Sequence, residues 1–310
     1  MLAGVTYANW ARLFTLGLIW GASFMFVSIA VQDYPPLTTA ALRIALGAVA
    51  LMIVLRLANR RLPDFRSKDG RTIWMFAAVM GVFSNALPFS LLSWGQTYVA
   101  SGFAGVSMAT VPLIVLPLAH VLIPGERMTL MKSIGFGLGF IGVILLIGLR
   151  AFESSGQSME TLARLASVGA AGCYAMGAIV TRLCPKVDLL SLAASTMLCA
   201  TAMMVPIALW QDGWPAGGSA LGISAIIYLG LLPTGLAQIF LVQVIREAGP
   251  SFLTLVNYQV PIWSVIFGLL FLGEALPENT ITALTLILVG MAISQRFGNR
   301  PARPGVKPQI

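Results

Sequence analysis

Ten long apolar stretches divide the chain, and short polar or Gly/Pro-rich connections separate them. A membrane-spanning helix needs about 20 predominantly apolar residues. Stretches of this kind fall at 11–31, 37–57, 72–94, 102–123, 131–149, 161–183, 189–209, 220–245, 251–272 and 279–295. The longest connections, 58–71, 150–160 and 210–219, leave no room for a soluble domain. The pattern predicts an all-α polytopic membrane protein with ten transmembrane helices.

Composition supports this prediction. Of the 310 residues, 58% are hydrophobic and 10% are charged, whereas soluble domains carry about 25% charged residues. The three cysteines have no CxxC spacing, and His120 is the only histidine, so we expect no metal and no cofactor. Trp20-Gly21 interrupts the first apolar run, which we therefore expect to be a span and not a cleaved signal peptide.

The net charge of +8 changes the picture only through its distribution. With the amino terminus inside, sixteen Lys and Arg residues fall on the cytoplasmic side and two fall outside. This asymmetry is the positive-inside pattern of membrane proteins. It predicts a bacterial inner (plasma) membrane protein with both termini cytoplasmic, whose partners are the lipid bilayer and a small molecule and not nucleic acid.

Two motifs recur at a nearly constant offset. Thr110-Val111-Pro112 is followed by Gly125-Glu126, and Gln259-Val260-Pro261 is followed by Gly273-Glu274, at an offset of 148 to 149 residues. Such self-similarity indicates internal duplication. Five spans per half is an odd number, so the second half enters the membrane in the opposite sense. We therefore expect a 5+5 inverted repeat, an architecture of many secondary transporters.

The repeat also gives the boundaries of the units. We expect a first five-helix unit at residues 1–150, a second at 151–296, and a disordered cytoplasmic tail at 297–310. The tail is rich in Pro and Arg and has no apolar face to pack.

Four of the prolines within predicted spans are candidate kinks: Pro88, Pro112, Pro233 and Pro261. A mid-span proline removes a backbone hydrogen bond, and the freed carbonyl needs a partner in the protein or in a water-filled cavity. Each could be a simple packing kink. Because they recur in both halves, we predict a hinge or cavity role.

Polar and aromatic residues inside the spans predict the walls of a cavity. Thr254, Asn257 and Tyr258 share one helical face with Pro261. Large polar side chains are costly to bury in lipid, which favours a cavity, whereas a small hydroxyl such as that of Ser107 could equally bond a neighbouring helix. The predicted substrate-binding residues are Trp20, Asn85, Phe89, Ser107, Tyr174, Gln238, Asn257 and Tyr258.

Arg43 is the one strong charge well inside a span, and an intramembrane charge is a functional candidate. It could attract a substrate carboxylate, or it could pair with an acidic group or backbone carbonyls. Glu126 and Glu274 fall at span ends, where we expect them to cap or anchor helices.

These motifs, in their order and doubling, resemble the drug/metabolite transporter superfamily in its ten-span EamA-type branch. The residues that carry the resemblance are Trp20-Gly21-Ala22-Ser23, Ala41-Leu42-Arg43 and the two Val-Pro…Gly-Glu units. The resemblance implies a basket-like bundle in which spans 1, 3, 4, 6, 8 and 9 surround a central cavity and spans 5 and 10 pack outside. Within the branch the chain looks most like exporters of aromatic and other neutral amino acids.

The expected function is therefore a secondary transporter that works by alternating access. An intramembrane enzyme is disfavoured, because Ser107 and His120 lie about 20 Å apart along one helix and no catalytic motif is present. A lipid-binding or sensory membrane protein is the third class. Since no carboxylate lies near a span centre, we expect facilitated diffusion and not proton coupling. The sequence gives neither the substrate nor the oligomeric state.

Overall fold

The computed structural model describes residues 6–124, 126, 128–147, 159–248, 250–276 and 278–298, and within these ranges every regular element is helical. The bounds are α1 Tyr7–Asp33, α2 Pro36–Leu57, α3 Lys68–Gly95, α4 Ser101–Leu122, α5 Leu130–Ile147, α6 Met159–Leu183, α7 Leu189–Asp212, α8 Ala220–Leu229 continuing through Gly230–Leu236 to Ala237–Ala248, α9 Val256–Leu272 after the short turn of helix Pro250–Leu253, and α10 Thr280–Gly298. Residue Gly125 and the tail from 299 lie outside the described residues.

Seven of these helices, α1 to α4 and α6 to α8, are long and apolar enough to cross a membrane. The remaining three contribute shorter apolar segments, Leu130–Leu146, Val256–Leu272 and Thr280–Ser294. The fold is therefore that of a polytopic membrane protein.

Several helices begin away from the start of the predicted span. The third helix begins at Lys68, four residues before the span predicted at 72–94, because the Ser67 side chain accepts a hydrogen bond from the Gly70 N–H at 2.9 Å and caps the helix there. The basic loop between α2 and α3 is correspondingly shorter.

The helix ends lie on two sides of the bundle. The side that holds the start of α1 is called the amino-terminal side, and the side that holds the end of α1 is called the opposite side. On the amino-terminal side, Arg12 of α1 pairs with Glu247 of α8, with Nη1 and Oε2 2.5 Å apart. On the opposite side, Thr38 at the start of α2 donates from its N and Oγ1 to Asp212 at the end of α7, at 2.9 and 2.8 Å. Both sides are thus tied together by bonds between distant parts of the chain.

The neighbours of each helix follow a regular scheme. Helix α1 packs against α8 and α9, and α6 packs against α3 and α4. Helix α2 packs against α7 and α8, and α7 against α2 and α3. The pairs α4–α9 and α5–α10 complete the scheme. Each of these pairs has a counterpart when helices one to five are exchanged with six to ten, which is the arrangement that a duplicated five-helix unit would produce.

Two π-helical segments interrupt the long helices at equivalent places. Val82–Ala86 in α3 and Gly230–Leu236 in α8 begin 148 residues apart, the offset of the sequence repeat. Pro88 follows the first segment within two residues, and Pro233 lies inside the second. Proline removes a backbone donor, and π-helical turns are frequent at functional sites.

The other helix pair is irregular near its prolines too. In α4, the 3₁₀ turn Met108–Thr110 precedes Pro112. In α9, a turn separates Leu253 from Val256, ahead of Pro261. Pro88 and Pro112 therefore follow a departure from regular α-helix by two residues, and Pro233 lies inside one. Pro261 lies in a helix that an irregular turn precedes.

Candidate functional site

Helices α4 and α9 approach each other most closely on the opposite side. A Cβ added to Gly105 would lie 1.9 Å from Oγ of Ser264, and one added to Gly102 would lie 3.4 Å from Cα of Val265. Real Cβ atoms do not approach other atoms at the first of these distances, so glycine at position 105 is what allows the two helices to touch. Ser264 itself is fully buried.

A carboxylate from the second half caps α4 at this contact. Glu274 Oε1 accepts from the Ser101 N–H at 2.7 Å, and Oε2 accepts from Ser101 Oγ at 2.9 Å and the Gly102 N–H at 3.0 Å. Gly273, with a positive φ of 61°, ends α9 and turns the chain towards α4. A negative group at a helix amino terminus is stabilised by the exposed N–H groups and the helix dipole. The opposite side of the α4–α9 pair is thereby closed.

On the amino-terminal side the same two helices separate around a cavity of about 870 Å³. Its walls come from α4, the loop after α4, the start of α5, α6, the turn before α9, α9 and α10. The lining includes Val111, Pro112, Leu113, Val115, Leu116, Ala119, His120, Glu126, Lys132, Ala178, Arg182, Thr254, Asn257, Tyr258, Met291, Ala292 and Ser294. The cavity is large enough for a small organic molecule. Three predicted residues, Pro112, Asn257 and Tyr258, line it.

Charged groups gather at the mouth of this cavity. Glu126 accepts from Arg182 at 2.6 Å and from Lys132 at 3.5 Å. The hydrogen bond from Arg182 lowers the pKa of the Glu126 carboxyl from its usual range, against a smaller effect of burial that raises it. His120, exposed at the end of α4, accepts at Nδ1 from the Met128 N–H at 3.3 Å and so fastens the loop between α4 and α5.

A second group of predicted residues surrounds Arg43, which is only 8% exposed. Its guanidinium carbon lies 3.8 Å from the centroid of the Phe89 ring. The Phe89 and Tyr174 rings meet edge-on with centroids 6.4 Å apart. The phenols of Tyr174 and Tyr228 are close enough to interact electrostatically with the guanidinium. Helices α2, α3, α6 and α8 thus each contribute one side chain to this Arg43 cluster.

One face of α6 connects the cluster to the cavity. Tyr174, Ala178 and Arg182 follow one another at intervals of four residues and share a helical face. Ala178 and Arg182 line the cavity, and Tyr174 lies about 6 Å further along the helix. The Arg43 cluster therefore stands about one helical turn beyond the part of the cavity wall that α6 forms.

The other predicted residues have different surroundings. The indole Nε1 of Trp20 donates to the Pro233 carbonyl at 3.1 Å, so Trp20 joins α1 to the π-helical segment of α8. Asn85 is buried in the π-helical segment of α3. Ser107 is fully buried and donates to the Phe103 carbonyl at 3.0 Å within its own helix. Gln238 is half-buried on α8 and is not part of the cavity wall.

Sequence reasoning missed several members of the site. Ala178 and Arg182 would have followed from extending the Tyr174 position along α6 by four and eight residues. Tyr228 could not be predicted in this way, because its position in α8 has no helical spacing from a predicted site residue that would single it out. In the structure its ring stacks on Phe26 with centroids 3.8 Å apart, and its hydroxyl donates to the Ile19 carbonyl at 3.1 Å.

Known proteins resemble this chain over most of its length. The inner membrane transporter YedA of Escherichia coli (strain K12), which is named as uncharacterized, is 26% identical over 96% of this chain and 94% of its own. The uncharacterized transporter YoaV of Bacillus subtilis (strain 168) is 23% identical over 90% and 94%. The protein PagO of Salmonella typhimurium is 25% identical over 92% of each chain.

A solved crystal structure, described only as that of a protein, has the same fold. It matches with a TM-score of 0.65 at 19% identity and covers 94% of this chain and 99% of its own. The family model of the EamA-like transporter family matches twice, at residues 10–148 and 161–295. Family and relatives together indicate a membrane transporter. The chain belongs to the EamA-like transporter family.

Proposed function

We propose that this protein is a secondary transporter that exports small metabolites from the cytoplasm by alternating access, with neutral and aromatic amino acids as the first candidates. One observation carries the proposal. The α4–α9 pair, one helix from each half, is closed on the opposite side by Glu274 and encloses a cavity of about 870 Å³ on the amino-terminal side. A path open at one end and sealed at the other is one state of an alternating-access cycle.

The repeat supports the second state. The exchange-symmetric neighbours of the helices and the π-helical segments 148 residues apart are what an inverted repeat would produce. In such a repeat, the two halves can exchange their conformations and open the path on the other side. The four prolines, at or near irregular segments, are the proposed hinges.

The distribution of Lys and Arg orients the cycle. It assigns the amino-terminal side to the cytoplasm of a bacterial inner membrane, so the cavity would open inward. A cysteine at position 215, in the loop between α7 and α8, should then react only with reagent added outside. Reaction only from the cytoplasm would overturn this orientation.

The absence of a carboxylate from the described middle portions of the helices favours facilitated diffusion over proton coupling. The test is flux of a panel of amino acids in proteoliposomes, with and without an imposed pH gradient. Down-gradient flux of a panel member supports the proposal, and a lipid-binding or sensory protein would produce none. Accumulation above equilibrium driven by the pH gradient would contradict facilitated diffusion.

A paired variant ties flux to the cavity. Val115→Trp places a large ring in the cavity wall and should reduce flux at least tenfold. Val121→Trp, on the same helix but 77% exposed, is the matched control and should retain flux. Equal flux from both variants would show that substrate does not pass through this cavity.

A further inference from the structure

Arg43 lacks the partner that a buried cation requires. The only described contacts of its guanidinium are aromatic, and no carboxylate among the described residues pairs with it. Its Nε is buried without a hydrogen-bond acceptor. Removing an ion from water is costly, and the attraction of a ring face offsets only part of that cost. The site is therefore short of one negative charge.

The arrangement leaves the donors of Arg43 available. All five N–H groups of a guanidinium lie in its plane. The Phe89 ring, whose centroid lies 3.8 Å from the guanidinium carbon, has no conventional hydrogen-bond acceptor, so it leaves these donors unused. This planar edge matches a carboxylate, which binds arginine through two parallel hydrogen bonds.

The face of α6 leads from the cavity towards this group. It runs from Arg182 at the cavity mouth through Ala178 to Tyr174, whose ring meets the Phe89 ring that lies against Arg43. At the mouth two cations, Arg182 and Lys132, meet one carboxylate, Glu126. A surplus of positive charge at a cavity entrance attracts anions.

From these three observations, we propose that Arg43 binds the carboxylate of the substrate, with Phe89, Tyr174 and Tyr228 around the adjoining apolar part. The inference rests on the proposed transport function and narrows its substrate class. The substrates are small organic acids, amino acids included, and compounds without an acidic group are excluded. The surrounding rings favour an apolar or aromatic body next to the carboxylate.

Binding without transport gives the most direct test. The full chain, reconstituted in nanodiscs at constant ionic strength, is titrated with phenylacetate or with phenylacetamide, which has the same shape and no charge. A ligand that binds only the folded state raises the unfolding temperature. We expect phenylacetate to raise the unfolding midpoint saturably and phenylacetamide to leave it unchanged. This comparison uses the natural chain and so does not depend on how a variant folds.

Variants then assign the effect to Arg43. Arg43→Gln should weaken phenylacetate binding at least tenfold, and Arg43→Lys should weaken it less, since the charge stays but the planar fork is lost. Arg56→Gln removes the same charge from an exposed position of the same helix and should bind like the natural chain.

Several outcomes would overturn the inference. One is an equal shift of the unfolding midpoint with phenylacetate and with phenylacetamide, or the same shift with chloride alone. Another is that Arg43→Gln binds phenylacetate as tightly as the natural chain does. A third is that none of phenylacetate, L-phenylalanine, acetate and succinate shifts the midpoint. Failure here differs from failure of the proposed function. Flux in proteoliposomes that is the same for charged and uncharged solutes would support the transport function and contradict the carboxylate site. Arg43-dependent binding without any flux would support the carboxylate site and contradict the transport function.

Discussion

The two ends of the α4–α9 pair carry the same sequence motif and have different contacts. Glu274 caps the start of α4 with three hydrogen bonds from Ser101 and Gly102. Glu126, its counterpart in the repeat, pairs instead with Arg182 and Lys132 beside an open cavity. Equivalent residues of the two repeats thus occupy unequal environments in one conformation, as the proposed alternating-access cycle would require.

The sequence adds a reason for the inequality. At an offset of 148 residues, the counterparts of Ser101 and Gly102 are Gly249 and Pro250. Glycine has no side-chain hydroxyl and proline has no backbone N–H, so a cap by Glu126 there would have fewer donors than the cap by Glu274. The closed end is therefore expected to be the more stable of the two.

The largest effect should come from crowding the closed end. Gly105→Ala puts a methyl group against Ser264 and should lower the free energy of unfolding by about 1–3 kcal/mol, the usual cost of overpacking. Gly137→Ala, on α5, meets nothing within 4 Å and should leave stability unchanged or raise it by less than about 1 kcal/mol. Thermal unfolding in nanodiscs compares the two variants. Equal midpoints would refute close contact of α4 and α9.

A smaller effect should follow from weakening the cap. Glu274→Gln removes the charge that the α4 amino terminus favours and should cost about 1 kcal/mol. A cysteine at position 104, fully buried in α4, should then react several-fold faster with reagent on the opposite side, in a background without native cysteines. Glu126→Gln is the matched substitution at the other end and should leave that rate unchanged. The same increase in both variants would mean that the ends do not act separately.

The smallest effect concerns pH. Because Arg182 lowers the folded-state pKa of Glu126, this carboxylate stabilises the protein above its unfolded pKa of about 4.3 and loses that effect as pH falls through the lower folded value. The stability difference between the natural chain and Glu126→Gln should be constant from about pH 7 to 5 and shrink below about pH 4. Unfolding midpoints across this range measure it. A difference that persists unchanged at pH 3 would refute the ion pair.

Part of the site followed from sequence because it depends on positions along a single helix. The stripe of Thr254, Asn257 and Tyr258 has helical spacing, and all three residues line the cavity. The carboxylate of Glu274 was expected to cap or anchor a helix, and it caps α4. By contrast, the sequence alone does not distinguish Ser107 from a hydroxyl residue of a cavity wall. The structure shows that its hydroxyl bonds the Phe103 carbonyl within its own helix.

The sequence by itself determined the class of fold, because apolar segments of membrane length must form helices that satisfy their own backbone hydrogen bonds. It also determined the offset of the repeat and the positions of the prolines. Only the tertiary structure decided that α4 and α9 touch at one end and part at the other. It also decided that the Arg43 guanidinium lies against the Phe89 ring and pairs with no carboxylate among the described residues. Both outcomes depend on side chains from helices distant in sequence, whose approach is governed by glycine contacts and packing that no single helix encodes.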